Sequence, residues 1–190
     1  ILAPGFGRVS EEVLGRYGWG RFADVLTAFE HERLMCASGP TGGEIVRPSD
    51  EKHPRKIAFL QCIGSRDEMC GNNYCSSVCC MYAIKQATLA REHDPHCEIT
   101  LFSMDVRTHG KGFDAARERA IAENNFRVIY ARPPQVEDVF DGGLLLNWST
   151  EDGKHHGEKF DLVVLSQGLE APEDAEQLGR AAGIDLNRYR

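Results

Sequence analysis

From Lys56 onward the apolar positions fall into short runs separated by helical patterns. Ile57 to Ile63 (IAFLQCI), Glu98 to Met104 (EITLFSM), Phe126 to Ala131 and Asp161 to Leu165 (DLVVL) each have the length and apolar character of a buried strand. Between the first two, Ser76 to Glu92 carries Val78, Tyr82, Ile84 and Leu89 on roughly one side, which predicts a helix that Asp94-Pro95 ends. Phe113 to Glu123 predicts a second helix, ended near Asn124-Asn125. The order β-α-β-α-β implies parallel strands and a Rossmann-like α/β fold. After Pro133-Pro134 come two extended stretches, near Gln135–Phe140 and Leu144–Thr150, with Asp141-Gly142-Gly143 as a hairpin turn. A second turn near Asp152-Gly153 precedes the last strand, and a short helix near Asp174–Ala182 follows.

Upstream of Lys56 the pattern is weaker. Residues 1–50 read as irregular with one helix, Leu26 to Ala37, apolar at Leu26, Phe29, Leu34 and Met35. Thr27 is its expected N-cap, with Glu30 as capping-box partner. The polar, proline-containing stretch 47–55 reads as a linker. The chain opens Ile1-Leu2 without a methionine, as if a buried strand began earlier, so an internal segment of a longer protein is expected.

Composition adds mainly exclusions. The chain has 190 residues, 42% hydrophobic and 27% charged, with a formal net charge of -7. That charge speaks against nucleic acid, which a basic face would serve. No apolar run approaches the roughly 20 residues of a membrane span, and no secretion signal is visible.

The cysteines change the picture most. Of seven, Cys62, Cys70, Cys75, Cys79 and Cys80 fall within 19 residues. Such clustering, with no secretion signal, points to metal or redox chemistry in a reducing compartment. Cys36 and Cys97 lie apart and read as buried thiols. In a dinucleotide-binding unit the turn after the first strand carries G-x-G-x-x-G. Here it reads Cys62-Ile63-Gly64-Ser65-Arg66-Asp67-Glu68, with one glycine and an acidic pair that repels phosphate. Cysteines take that place, spaced C-x12-C-x3-C-C over Cys62, Cys75, Cys79 and Cys80. If the helix has begun by Cys75, Cys75 and Cys79 share a face.

Cys79 and Cys80 point about 100° apart on a helix, which suits separate irons of a cubane better than one tetrahedral zinc. A helix N-terminus also favours the negative charge of a thiolate-ligated cluster. Three other readings stay open on spacing alone: zinc, a redox-active thiol pair, and plain buried cysteines. Cys70, in a polar loop, reads as a bystander that could stand in for Cys62. The histidines form no metal pattern; His155-His156 is expected in an exposed turn, and Arg66, Lys111 and the acidic residues read as surface charge.

Two segments resemble a known family. IAFLQCIGSRD followed by NNYCSSVCCMYAIKQA is similar to the A subunit of heterodisulfide reductase and its bacterial relatives, and ERLMCASGPTGGEIVRPSD resembles that family's interdomain linker. The resemblance runs over nearly the whole chain. It implies a thioredoxin-reductase-like flavoprotein with a [4Fe–4S] cluster in a pseudo-nicotinamide domain, its motif falling on Cys62, Cys75, Cys79 and Cys80. It further implies FAD, electron transfer between flavin and clusters, partner subunits of a heterodisulfide-reductase-like complex, and a cytoplasmic location. On this reading residues 1–50 belong to an FAD-domain segment and linker helix, 51–166 to the cluster-binding domain, and 167–190 to the return into the FAD domain. Ala3, Pro4, Gly5, Glu32, Lys85 and Gly168 would lie near FAD in the full protein; for Glu32 and Lys85 a solvated face is the plain alternative. The FAD domain's own glycine motif and the further ferredoxin-type clusters are absent, so this chain alone is expected neither to hold FAD nor to turn over. Two rivals remain: a flavin-dependent disulfide reductase using Cys75 and Cys79, and a non-catalytic docking module.

Overall fold

The computed structural model describes residues 1–140 and 142–190. Its centre is a five-stranded parallel sheet in the order β2-β9-β3-β4-β5. The strands are β2 (Val25–Thr27), β3 (Lys56–Ile63), β4 (Glu98–Ser103), β5 (Arg127–Tyr130) and β9 (Leu162–Gln167). β3 lies between β4 and β9, and every residue of it but Lys56 is buried. A central parallel strand is covered on both faces, which is why IAFLQCI is a continuous apolar run.

Successive side chains of a strand point to opposite faces, and so two cores form. Ile57, Phe59, Ile99, Leu101, Leu162 and Val164 face a helical layer of α2 (Ala28–Met35), α3 (Cys79–His93) and α4 (Phe113–Asn124). Ala83, Ala87 and Ala90 let α3 approach the sheet closely. Ala58, Leu60, Phe102, Val163 and Leu165 face an antiparallel meander and α1 (Glu11–Arg16). The meander is β6 (Val136–Asp138), β7 (Leu144–Ser149) and β8 (His155–Phe160). Its Trp148 and Phe160 pack edge-on against Phe102, with ring centroids 5.0 and 5.9 Å away.

The predicted α/β class, the parallel core and the antiparallel excursion are all present. The capping box forms as expected: Glu30 N–H donates to Thr27 Oγ1 at 3.2 Å, and Thr27 N–H donates to Glu30 Oε2 at 2.7 Å. The structure differs from the sequence reading in several places. Leu26, expected to open the linker helix, lies instead in edge strand β2, which pairs with β9. α1, within a stretch read as irregular, is an additional helix. His155 and His156 are exposed as expected but lie on strand β8 rather than in a turn. Helix α3 starts at Cys79, not Ser76, so Cys75 belongs to the loop before it. Gly142 and Gly143 both have positive φ in the β6–β7 turn, while Asp141 lies outside the described residues. β10 (Leu169–Glu170) pairs antiparallel with β1 (Gly7–Arg8), and α5 (Ala175–Ala182) follows.

Candidate functional site

The cysteines gather at the C-terminal edge of the parallel sheet, where open α/β folds bind their ligands. β3 delivers Cys62 through an irregularity: the register with β9 shifts between Leu60 and Ile63, and Cys62 takes a left-handed φ of 61°. A non-glycine residue there stores strain of about 1–3 kcal/mol, and the bulge re-aims its side chain. Arg66 and Ser77 share this conformation, with φ 54° and 64°.

The loop between β3 and α3 is tied down on both sides. Asp67 and Asn72 form a bridge, and Arg66 N–H donates to Tyr74 O at 2.9 Å. Leu169 N–H donates to Ser76 Oγ at 2.9 Å, and Tyr74 OH donates to Leu169 O at 3.2 Å. Two glycines permit this closeness. A Cβ on Gly168 would stand 2.6 Å from Ser65 Cβ and 2.7 Å from Ser76 Oγ, and one on Gly64 2.4 Å from Val9 Cγ1. Gly64, which the sequence compares with a phosphate-binding glycine, here makes room for Val9.

Cys62, Cys79 and Cys80 are buried, and their thiols interact with one another. Hydrogen bonding among the three pushes the Cys79 thiol up and draws those of Cys62 and Cys80 down. Cys62 falls to about 7, first through Cys79 and then through the Arg66 guanidinium, against the opposing effect of burial. Cys80 is lowered by Cys79 and by the main-chain N–H of Arg107, which donates to Cys80 Sγ at 3.4 Å. Cys75 is half-buried in the loop; Ser77 N–H donates to its Sγ at 3.4 Å. It lies, with Cys62, within the electrostatic reach of the Arg107 guanidinium. Cys70 turns elsewhere: its thiol meets Asp67, and burial followed by that carboxylate pushes it up.

The start of α3 suits negative charge. Its N-cap is Val78, which supplies no side-chain acceptor, and its first turn holds no acidic residue. The positive pole of the helix is therefore left to the cysteine group. Tyr82, one turn on, donates its OH to Gln167 O at 2.5 Å, and burial raises its pKa well above normal. Among the described residues no three His, Cys, Asp or Glu side chains converge so as to hold a metal ion. A tetrahedral zinc needs all its sulfurs at about 2.3 Å from one point, so no mononuclear centre is preformed. Four thiolates on one cluster do not share a centre, each taking its own iron. The donor set fits that demand: four thiols, three of them buried, beside an uncapped helix start and two arginines.

Among the residues expected near FAD, Gly168 packs against the loop that carries Cys75. Glu32 and Lys85 form an ion pair between α2 and α3. Gln86 extends it, donating through Nε2 to Glu32 Oε2 at 3.0 Å and to Ala28 O at 2.9 Å. His31 Nδ1 lies 3.1 Å from Gln86 Oε1, and because the Gln86 nitrogen already donates, Nδ1 carries the hydrogen. Ala3, Pro4 and Gly5 are exposed, and Gly168 is buried against Ser65 and Ser76. Arg66, read from sequence as surface charge, has a side chain only 20% exposed and an ion pair with Asp105. Sequence reading also missed Asp105, Arg107, Tyr82 and His31. Arg107 lies far along the chain from Cys80, and no spacing rule joins them.

No protein-family model matches the chain. Over 97% of its length it is 40% identical to the A subunit of the H(2):CoB-CoM heterodisulfide,ferredoxin reductase of Methanothermobacter thermautotrophicus. It is 43% identical, again over 97%, to the second of two iron-sulfur A subunits of CoB--CoM heterodisulfide reductase in Methanopyrus kandleri. The A subunit of a ferredoxin/F(420)H(2)-dependent CoB-CoM heterodisulfide reductase from Methanosarcina acetivorans is 35% identical over 97%. The chain spans 28% of the first two relatives and 23% of the third. Among solved structures, a 2-naphthoyl-CoA reductase complexed with 2-naphthoyl-CoA matches with a TM-score of 0.56 and 18% identity, over 95% of this chain and 21% of that one. At that identity the likeness concerns the fold.

Proposed function

For a chain that corresponds to a segment of the heterodisulfide reductase A-subunit family, a family of oxidoreductases, we propose an electron-transfer domain in which Cys62, Cys75, Cys79 and Cys80 hold a [4Fe–4S] cluster. The observation that carries the proposal is the meeting of Cys62, on its left-handed bulge, with Cys79 and Cys80 at the uncapped start of α3. Cys75 completes the set from the loop, beside Arg107. A cluster held there supplies one-electron transfer to and from neighbouring redox groups.

The residues of the chain do the holding and the tuning. The Arg66 guanidinium and the Arg107 N–H offset part of the negative charge that thiolate ligation gathers at Cys62 and Cys80. The helix start and the Arg107 N–H direct positive dipole ends at the sulfurs. Burial of Cys62, Cys79 and Cys80 keeps water from them.

FAD belongs, on this reading, to the longer protein. The Glu32–Lys85 pair would present a charged edge to it, and Ala3, Pro4, Gly5 and Gly168 would lie along its approach. Other subunits of the complex are the proposed partners. The seven free cysteines accord with the cytoplasm. No helix among the described residues is long and apolar enough to cross a membrane. The disulfide-reductase alternative would pair Cys75 with Cys79, whereas the thiol neighbours of Cys79 are Cys62 and Cys80.

The test is anaerobic reconstitution with iron and sulfide, followed by metal analysis and visible and EPR spectra. Wild type should carry about four irons per chain, and Cys79→Ser should lose them while staying folded by circular dichroism. Folded wild type that takes up no iron would refute the cluster.

A further inference from the structure

Two arginines reach the cysteine group from different loops, one after β3 and one after β4. Asp105 binds both. Its carboxylate accepts from Arg66 Nη1, and it accepts from Arg107 Nε and Nη2 at 3.1–3.2 Å. Asp105 is itself held, because Ser103 Oγ donates to its main-chain carbonyl at 2.6 Å. From this anchor the Arg66 guanidinium interacts with the Cys62 thiol. The Arg107 N–H meets Cys80 Sγ at 3.4 Å, and its guanidinium is felt by Cys75 and Cys62. Cys80 is thus hydrogen-bonded by Arg107, and Cys62 and Cys75 lie within the electrostatic reach of the two guanidinium groups.

We propose that Arg66, Asp105 and Arg107 form a potential-setting triad, in which the carboxylate fixes two guanidinium groups beside the cysteines and so makes the bound cluster easier to reduce. The proposal rests on the cluster reading above. Two cations and one anion leave a net positive charge at the site. Adding an electron to a thiolate-ligated cluster adds negative charge, and fixed positive charge favours that state over the oxidised one. The Arg66 side chain, 20% exposed, acts through a medium screened less than open water. The other nearby cation, Arg132, is matched by its own partner Asp67 at 2.7 Å and adds little net charge. Arg66 and Arg107 are positioning residues here: they act through charge on the cluster and its ligands and take no electron themselves.

The experiment compares midpoint potentials by EPR-monitored redox titration of the reconstituted chain, with iron counted in every sample. The variants are Arg66→Gln, Arg66→Lys and Arg107→Gln. At a fixed solution potential Arg66→Gln should lower the reduced-to-oxidised ratio about tenfold, equivalent to about 59 mV for one electron. Arg66→Lys, which keeps the charge, should recover most of the loss. Arg107→Gln should shift the potential in the same direction but less, since its side chain is 41% exposed. Wild-type iron content with an unchanged midpoint in Arg66→Gln and Arg107→Gln overturns the triad and leaves the cluster standing. A wild type without iron overturns both. If Arg66→Gln fails to fold, the comparison of wild type with Arg107→Gln and Arg66→Lys decides: a negative shift in the first and none in the second supports the triad, and any other pattern overturns it.

Discussion

The fully buried His31 makes stability depend on pH, and replacing it with glutamine should remove that dependence. Its ring sits edge-on to Phe59, with centroids 5.5 Å apart, and Nε2 has no partner among the described residues. Burial is the largest influence on its pKa; Gln86 and Glu32 pull the other way and only partly offset it. The result is a fall from 6.5 to about 4. The unfolded chain therefore binds a proton between those values that the folded chain refuses. Stability from the neutral ring is fully present above about 6.5 and is lost as pH falls toward about 4. At about 1.36 kcal/mol per pH unit the whole interval is worth about 3 kcal/mol. Urea unfolding at several pH values, extrapolated to water, should show wild type losing about that much more than His31→Gln between pH 7 and pH 4. Glutamine keeps a donor for Gln86 Oε1, and any constant loss from poorer packing on Phe59 cancels from the slope. Identical pH slopes for the two proteins would refute the argument, because His31 would then titrate alike folded and unfolded.

Three further outcomes follow from local geometry. Gly168→Ala places a methyl 2.6 Å from Ser65 Cβ; overpacking of about 1–3 kcal/mol should appear in urea unfolding, with reduced iron uptake because the displaced loop carries Cys75. Thr27→Ala breaks both halves of the capping box of α2; thermal and urea unfolding should register about 1 kcal/mol, with Thr27→Ser close to wild type. Cys70→Ala should leave iron content and spectra unchanged, since its thiol faces Asp67, whereas Cys75→Ala should lower both; iron analysis of the two variants side by side checks this.

Much of the architecture is written in local sequence. The run IAFLQCI is legible as a central strand because both of its faces are buried, and Thr27 with Glu30 is legible as a helix start because a capping box needs only residues three apart. The spacing of Cys62, Cys75, Cys79 and Cys80 is legible too, and with the surrounding motifs it carried the family resemblance. Tertiary structure decided the rest. β2 is three residues long and exists because β9 offers it a partner. β8, all polar or glycine up to Phe160, is a strand because β7 pairs with it, and no alternation marks it. α3 begins late because Ser77 is left-handed and Ser76 is engaged by Leu169 from a segment far along the chain. The charge around the cysteines was out of reach of sequence for the same reason. Asp105 and Arg107 meet Arg66 and Cys80 because β3 and β4 lie side by side, and adjacency in a sheet is a property of the folded chain.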